Sequence, residues 1–183
     1  MKILNRDNKK YPIKVVLANG KSMIIPKQAE FSNSWLRFHG CSLMAEYEAL
    51  QWLGVERVKI ENAYYGIWPI HLLEWHKLYT KNQVKAKVTV RGVAQGINKI
   101  AKGKGKATYY RVVTANRIRK AIKAGHTVIM EQADPIHSIY IIHDNDGTFK
   151  VSYGKVSKVS IDSIAKTATK NATYRGMVVI KEV

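Results

Sequence analysis

Cys41 is the single cysteine among 183 residues, so it cannot close an internal disulfide and its chemistry is that of a free thiol. It follows Gly40, which lets another backbone or a substrate come close. It also stands just ahead of a helical pattern over residues 42–53, where unpaired N–H groups and the helix dipole favour a negative charge over a neutral thiol. That placement suits a nucleophile. It also suits a small buried hydrophobe, the commoner use of a lone cysteine. A nucleophilic thiol needs a base, and His137 is the best placed of the six histidines. It opens the apolar segment 138–142, which would hold an imidazole rigidly at the mouth of a strand. His39 is too near Cys41 in sequence to be assumed to face it. His71 and His76 lie on a helical pattern, His126 and His143 fall at strand edges, and all five read as surface or core histidines. No paired spacing of zinc ligands occurs, and the run 102–106 (KGKGK) lacks the Gly-Lys-Ser/Thr order of a phosphate loop. Neither a metal nor a cofactor is expected.

The elements around these two residues can be read from periodicity and punctuation. Residues 13–17 and 22–25 flank Asn19-Gly20, a dipeptide suited to a tight hairpin turn, and Pro26 stops the second strand. Over 42–53 the large apolar residues Leu43, Tyr47, Leu50 and Leu53 recur at helical spacing, Glu46 and Glu48 are expected to face outward, and Gly54 ends the helix. Pro69 opens a second helix running to about Leu78. Residues 84–90 alternate as a half-buried strand would, and 92–106 reads as a short helix followed by a basic loop. A strand over 107–113 leads to Thr114, the cap of a helix through Ile118 and Ile122 that stops at Gly125. Segments 128–130, 138–142, 149–151 and 177–180 are β-rich, with a turn at 144–147. Helices in the first two thirds and strands in the last third predict a single α+β domain over 1–183, with 1–30 as an N-terminal hairpin extension.

Charge narrows the partners. Lys and Arg outnumber Asp and Glu by 31 to 13, a formal net charge of +18. Between Trp75 and Met130 there are fourteen basic residues and no acidic one. A polyanion or an acidic substrate is a candidate partner for region 75–130. A basic face can equally serve solubility alone. No apolar run is long enough for a membrane span and residues 1–10 lack the apolar centre of a signal peptide, so a soluble, cytoplasmic protein is expected.

The stretch from Gly40-Cys41-Ser42-Leu43-Met44-Ala45 to Leu50-Gln51-Trp52-Leu53-Gly54 resembles the cysteine helix of papain-like bacterial peptidases similar to the double-glycine leader peptidases that process bacteriocins. A second block of that family resembles, in order, 118–125, 128–130, His137 and 144–147, and the segments 159–164 and 175–180 resemble its closing helix and strand. The resemblance implies a papain-like fold in which the cysteine helix packs on a C-terminal antiparallel sheet. It implies that Cys41 attacks a carbonyl, that His137 carries its proton, and that a side-chain amide before the cysteine helps to bind the oxyanion. Asn33 is the better spaced amide and Gln28 the alternative. The chain departs from the family in two places. Ser42-Leu43 replaces the usual Gly-Pro, and Ser152 and Tyr153 occupy the place of the Asp or Asn that orients the histidine. The expected activity is therefore a cysteine peptidase or related acyl-transfer enzyme acting on a peptide or protein. The alternative is a weak or inactive papain-fold protein that binds a polyanion or acidic peptide through its basic region. A plain nucleic-acid binder has only the charge in its favour.

Overall fold

The computed structural model describes residues 2–4, 12–80, 88–133, 136–169 and 174–183. The elements in chain order are β1 (Lys2–Leu4), β2 (Ile13–Val16), β3 (Ser22–Ile25), α1 (Ser34–His39), α2 (Cys41–Trp52), β4 (Arg57–Ile60), β5 (Ala63–Gly66), α3 (Pro69–Tyr79) and α4 (Val90–Ile100). They continue with β6 (Gly105–Tyr110), α5 (Ala115–Lys123), β7 (Thr127–Ala133), β8 (Ile136–Asp144), β9 (Gly147–Ser152), β10 (Lys155–Val159), α6 (Ile161–Thr169) and β11 (Tyr174–Glu182). The fold is α+β. A six-stranded sheet in the order β10-β9-β8-β7-β11-β6 forms its centre, accompanied by a three-stranded sheet β1-β2-β3 and the hairpin β4-β5. Every strand pairing among the described residues is antiparallel.

The central strands explain why the chain reads as continuous apolar runs there. Ile129, Tyr140, Ile142, Val151, Val178 and Ile180 pack on one face of the sheet with α2, α3 and α4. Val128, Met130, Ile139, Ile141 and Met177 pack on the other with Ile118 and Ile122 of α5 and Ile164 of α6. A strand covered on both faces has no polar side to show, so the usual alternation disappears.

Local signals account for the boundaries. Thr114 Oγ1 accepts the Arg117 N–H and caps α5, and Gly125, at φ +74°, follows its end. Pro69 occupies the first turn of α3, where its missing donor costs nothing. The hairpin β2-β3 differs from expectation. Leu17 pairs with Lys21 through Leu17 N–H to Lys21 O, and of the intervening residues only Gly20 has a positive φ, +83°. The turn is therefore a three-residue loop closed by a left-handed glycine, and Asn19 keeps ordinary backbone angles. The strand expected over 84–90 lies largely outside the described residues, and Val90 belongs to α4, capped by Thr89. The short pieces β1, α1, β4, β5 and β10 were not anticipated.

The hairpin β2-β3 is built into the body of the protein. Val15, Met23 and Ile25 are buried in the larger core, and Gln51 of α2 takes the Ile24 N–H on its Oε1 and gives its Nε2–H to Ile24 O, both at 2.8 Å. No helix among the described residues is long and apolar enough to cross a membrane.

α2 departs most from what its sequence suggests. Residues 42–50 of this helix are all buried, including Glu46 (0% exposed) and Glu48 (3%). The expected outward-facing glutamates are an error with a clear cause, since a helix covered on nearly all sides has no polar face to offer. Glu46 is paired: its Oε2 lies 2.7 Å from His76 Nε2, and His76 Nδ1 meets Thr80 Oγ1 at 3.1 Å. Thr80 spends its own hydroxyl proton on His76 O, so it accepts from Nδ1–H, and a single proton is shared between Nε2 and the carboxyl. Gly96 of α4 makes room for this pair, because a Cβ there would stand 2.1 Å from Glu46 Oε1.

Candidate active site

Cys41 is the first residue of α2, directly after Gly40, where α1 ends. The need for glycine is local. A Cβ at position 40 would lie 2.4 Å from Leu36 O, so the backbone that approaches closely is the chain's own preceding turn. Cys41 is a free thiol and partly exposed. On the helix face below it, residues at i+3, i+4 and i+7 are Met44, Ala45 and Glu48, and all of these line one small cavity with Cys41. Gln28, His137, Ser138, Val151, Ser152, Tyr153 and Gly154 complete its walls. α2 is fixed to β8 here by a 2.9 Å hydrogen bond between the Ser42 and Ser138 hydroxyls. No hydrogen bond joins Cys41 to His137: Ser138 turns its side chain to α2, and its strand neighbour His137 turns its ring to the other face of the sheet, toward Ser152, so the two residues border one cavity from opposite faces of β8.

His137 is the second residue of β8, next to Gln132 in the register with β7. Its Nε2 lies 3.0 Å from Ser152 Oγ. The contact allows two tautomers: where Nε2–H donates to that hydroxyl, Nδ1 carries the lone pair, and where the hydroxyl donates, Nδ1 carries the proton. The Tyr153 ring lies flat on the imidazole, with centroids 3.6 Å apart and planes 3° from parallel. His137 is left 4% exposed while Tyr153 itself is 59% exposed. Burial, and after it the nearby Lys150 charge, pushes the imidazole down to about 4. The ring is therefore neutral at physiological pH.

Ser152, Tyr153, Gly154 and Lys155 form the turn between β9 and β10. Ser152 pairs with Lys155, and both central residues have positive φ, +51° at Tyr153 and +73° at Gly154. This two-residue turn matches the twist of a hairpin, but it places a tyrosine where Asn or Gly is preferred. Left-handed backbone costs a bulky residue about 1–2 kcal/mol, and strain of this kind collects at functional sites. The turn is also pressed against the segment leading to Gln28, since a Cβ on Gly154 would meet Lys27 Cγ at 2.8 Å. The cavity measures only about 10 Å³, room for about one water.

Comparison of the chain with protein-family models, curated proteins and solved structures finds no match.

Of the residues expected from sequence, the structure brings together Cys41, His137, Gln28, Ser152 and Tyr153, and it sends Asn33 elsewhere. Asn33 is the N-cap of α1, its Oδ1 accepting the Leu36 N–H at 3.0 Å, a position for which asparagine is among the preferred residues. It does not line the cavity. Gln28, in a single 3-10 turn over Gln28–Glu30, gives one Nε2–H to Arg37 O at 3.1 Å and keeps a second N–H free for another acceptor.

Glu48 is the wall residue that sequence reasoning missed, although its spacing of seven from Cys41 placed it on the same helix face. It has no hydrogen-bond partner among the described residues, and burial raises its carboxyl well above 4.5. A raised native value means that the folded state holds the proton more tightly than the unfolded chain. Stability is then full below about pH 4.5 and falls as pH rises toward the native value. Glu48→Gln removes that loss. The variant is expected to melt several degrees above the parent at pH 8, with the gap closing toward pH 4.5, as thermal denaturation across that range would show. Equal pH profiles for the two proteins would contradict the assignment of Glu48 as a buried neutral acid.

Proposed function

We propose that this protein is a papain-like cysteine peptidase, or a related acyl-transfer enzyme, that opens a peptide bond through Cys41 and His137. The observation that carries the proposal is that Cys41, His137, Ser152 and Gln28, drawn from four separate elements, line one cavity. A nucleophile at a helix start, a neutral imidazole with a free Nδ1, a hydroxyl on the opposite ring nitrogen and an amide with a spare N–H are the parts acyl transfer needs. In this reading the Cys41 sulfur bonds to the carbonyl carbon while His137 takes the thiol proton. His137 then hands that proton to the leaving amine, and water releases the acyl group from the resulting thioester. Gln28 Nε2–H and the Cys41 backbone N–H supply charge for the developing oxyanion. Ser152 Oγ does the orienting work usually assigned to an acid, holding the tautomer without adding a negative charge.

The competing reading is a papain-fold protein without turnover that binds an acidic peptide or polyanion through region 75–130. The flat cover of Tyr153 on His137, the place of that ring on the sheet face away from α2, and the absence of an acid beside it among the described residues favour that alternative. One experiment separates the two. With a single cysteine in the chain, iodoacetamide labelling of the native protein, located by mass, reports Cys41 alone. Peptidase chemistry predicts labelling between pH 5 and 7 at a rate well above that of an ordinary thiol, whose thiolate is scarce there. A Cys41 that stays inert until the chain is unfolded would end the enzyme reading.

A further inference from the structure

Helix α5 and the β6 edge of the large sheet enclose a basic groove that shares no wall residue with the Cys41 cavity. Arg117, Lys120, Ala121 and Ala124 recur at i, i+3, i+4 and i+7, so they form one stripe along the helix. That stripe, with Tyr110 of β6, Val179 of β11 and His126, lines an open hollow of about 210 Å³. The register extends the groove along the sheet. Thr108 pairs with Val179 and Lys106 with Lys181, and residues directly paired, or two apart on one strand, share a face. Lys106, Thr108 and Lys181 therefore lie on the same face as Val179. α5 packs on β7 through Ile118 and Ile122 and leaves those three residues exposed.

The groove is positively charged on both sides. Lys106, Lys181, Arg117 and Lys120 have no carboxylate partner among the described residues. Acids on neighbouring elements are engaged elsewhere. Asp162 of α6 pairs with Arg119, on the far flank of α5, and Glu182 pairs with Lys21 on the opposite face of β11 from Lys181. Like charges set directly opposite on paired strands repel, so Lys106 against Lys181 is an unfavourable pairing that a bound anion would relieve. A guard against edge-to-edge association would explain Lys106, on the outermost strand β6. It does not explain Lys181 on the inner strand β11. The edge is also closed already by Asn98, which takes the Ala107 N–H on Oδ1 and gives Nδ2–H to Ala107 O, both at 2.8 Å.

Two features favour a nucleic acid over an acidic peptide. The Arg117 guanidinium carbon lies 4.3 Å from the centre of the Tyr110 ring and is held by a hydrogen bond from Nη1 to Val112 O. That makes a fixed, planar, cationic platform of the kind on which bases stack. The Asn98 clasp, in turn, leaves an extended peptide no free backbone at Ala107 to pair with. We propose that this groove binds a single strand of nucleic acid, with Lys106, Lys120 and Lys181 on its phosphates and one base stacked on Arg117. The proposal does not rest on Cys41 chemistry, and it narrows the polyanion of the competing reading to one class of molecule and one groove.

Fluorescence anisotropy of the full chain with a labelled single-stranded RNA of about twelve nucleotides, and with its DNA counterpart to separate the two sources, tests it. Affinity is expected to fall with salt, with a logarithmic slope of about −0.7 for each phosphate held. Lys106→Gln/Lys120→Gln/Lys181→Gln is expected to reduce that slope by about 2 and to weaken binding about a hundredfold at about 0.1 M NaCl. The control Lys59→Gln/Lys99→Gln/Lys158→Gln removes the same charge from exposed positions on other elements, and a loss of about threefold or less is expected. An abasic strand of equal length is expected to bind about tenfold more weakly than the parent strand, and Arg117→Lys, which keeps the charge and loses the plane, is expected to close that gap. Equal losses in the two triple variants would assign binding to overall charge and overturn the groove, as would a parent that fails to bind. An abasic strand, a duplex or a poly-glutamate of equal charge that binds as tightly as the single strand overturns the choice of ligand. Iodoacetamide labelling of Cys41 is read separately, so none of these results decides the acyl-transfer reading.

Discussion

Replacing His137 with alanine is expected to slow Cys41 alkylation at pH 6 about a hundredfold and to lower peptide turnover by about 10²–10⁴, the range of a general base. The two proteins should also differ in shape of pH profile. In the parent, burial and Lys150 hold His137 at about 4, so the imidazole stays unprotonated down to that pH, as a weaker base than a free imidazole, and a rate that depends on it should be nearly flat from pH 7 to 5. In His137→Ala the thiol must ionise unaided. Its rate should fall about tenfold for each pH unit below the ordinary thiol range near 8.5. Stopped alkylation followed by mass analysis at five or six pH values measures both curves. Parallel curves would show that His137 gives the thiol no proton-transfer help, whatever its place in the cavity. Ser152→Ala serves as the milder companion. It leaves the imidazole in place without its orienting hydroxyl, and an intermediate rate with the parent's pH dependence is expected.

The second large effect concerns stability. His76→Ala is expected to cost about 3–5 kcal/mol, the range for breaking a buried pair and leaving one partner behind. For a chain of this length that corresponds to a fall in Tm of roughly 6–20 °C. The reasoning follows from the 2.7 Å contact with Glu46, from the complete burial of both side chains, and from the Glu46 Oε1 atom, which is buried and already without a partner. Burial raises the Glu46 carboxyl and His76 opposes that rise. Without His76 the native value climbs further, so the deficit should widen as pH increases from 4.5 to 8. Calorimetry of parent and variant at the two ends of that range gives the comparison. A loss that is the same at both pH values would mean that the cavity left by the ring accounts for the whole effect and that the proton shared with Glu46 contributes nothing.

How much of this was legible in the chain depends on what each residue was responding to. Thr114, Pro69, Gly54 and Gly125 act locally, and the helices they bound appear where those residues put them. The central strands were legible from apolar runs, although their two-sided burial follows only once helices are known to cover both faces. The short strands β4, β5 and β10 were not legible, because residues such as those of Lys155–Val159 are mostly exposed or half-buried and owe their conformation to a paired neighbour. Glu46 and Glu48 misled because helix amphipathicity presumes a solvent side that α2 lacks. Cys41 and His137 were named from position and resemblance and border one cavity, whereas the choice between Asn33 and Gln28 stayed open in the chain. A side-chain amide near a helix start often serves as its cap, and Asn33 does so for α1.

The two hydrogen bonds between Gln51 and Ile24 also bear on how the Cys41 thiol is carried. They clamp the far end of the Cys41 helix to the strand Ser22–Ile25, while the Ser42–Ser138 bond clamps its near end to the large sheet. The helix is thus a beam supported at both ends, and the thiol sits at one tip of it. The segment once read as an extension is one of its two abutments, so loosening the N-terminal strands would be felt as play in the position of the sulfur about three turns away.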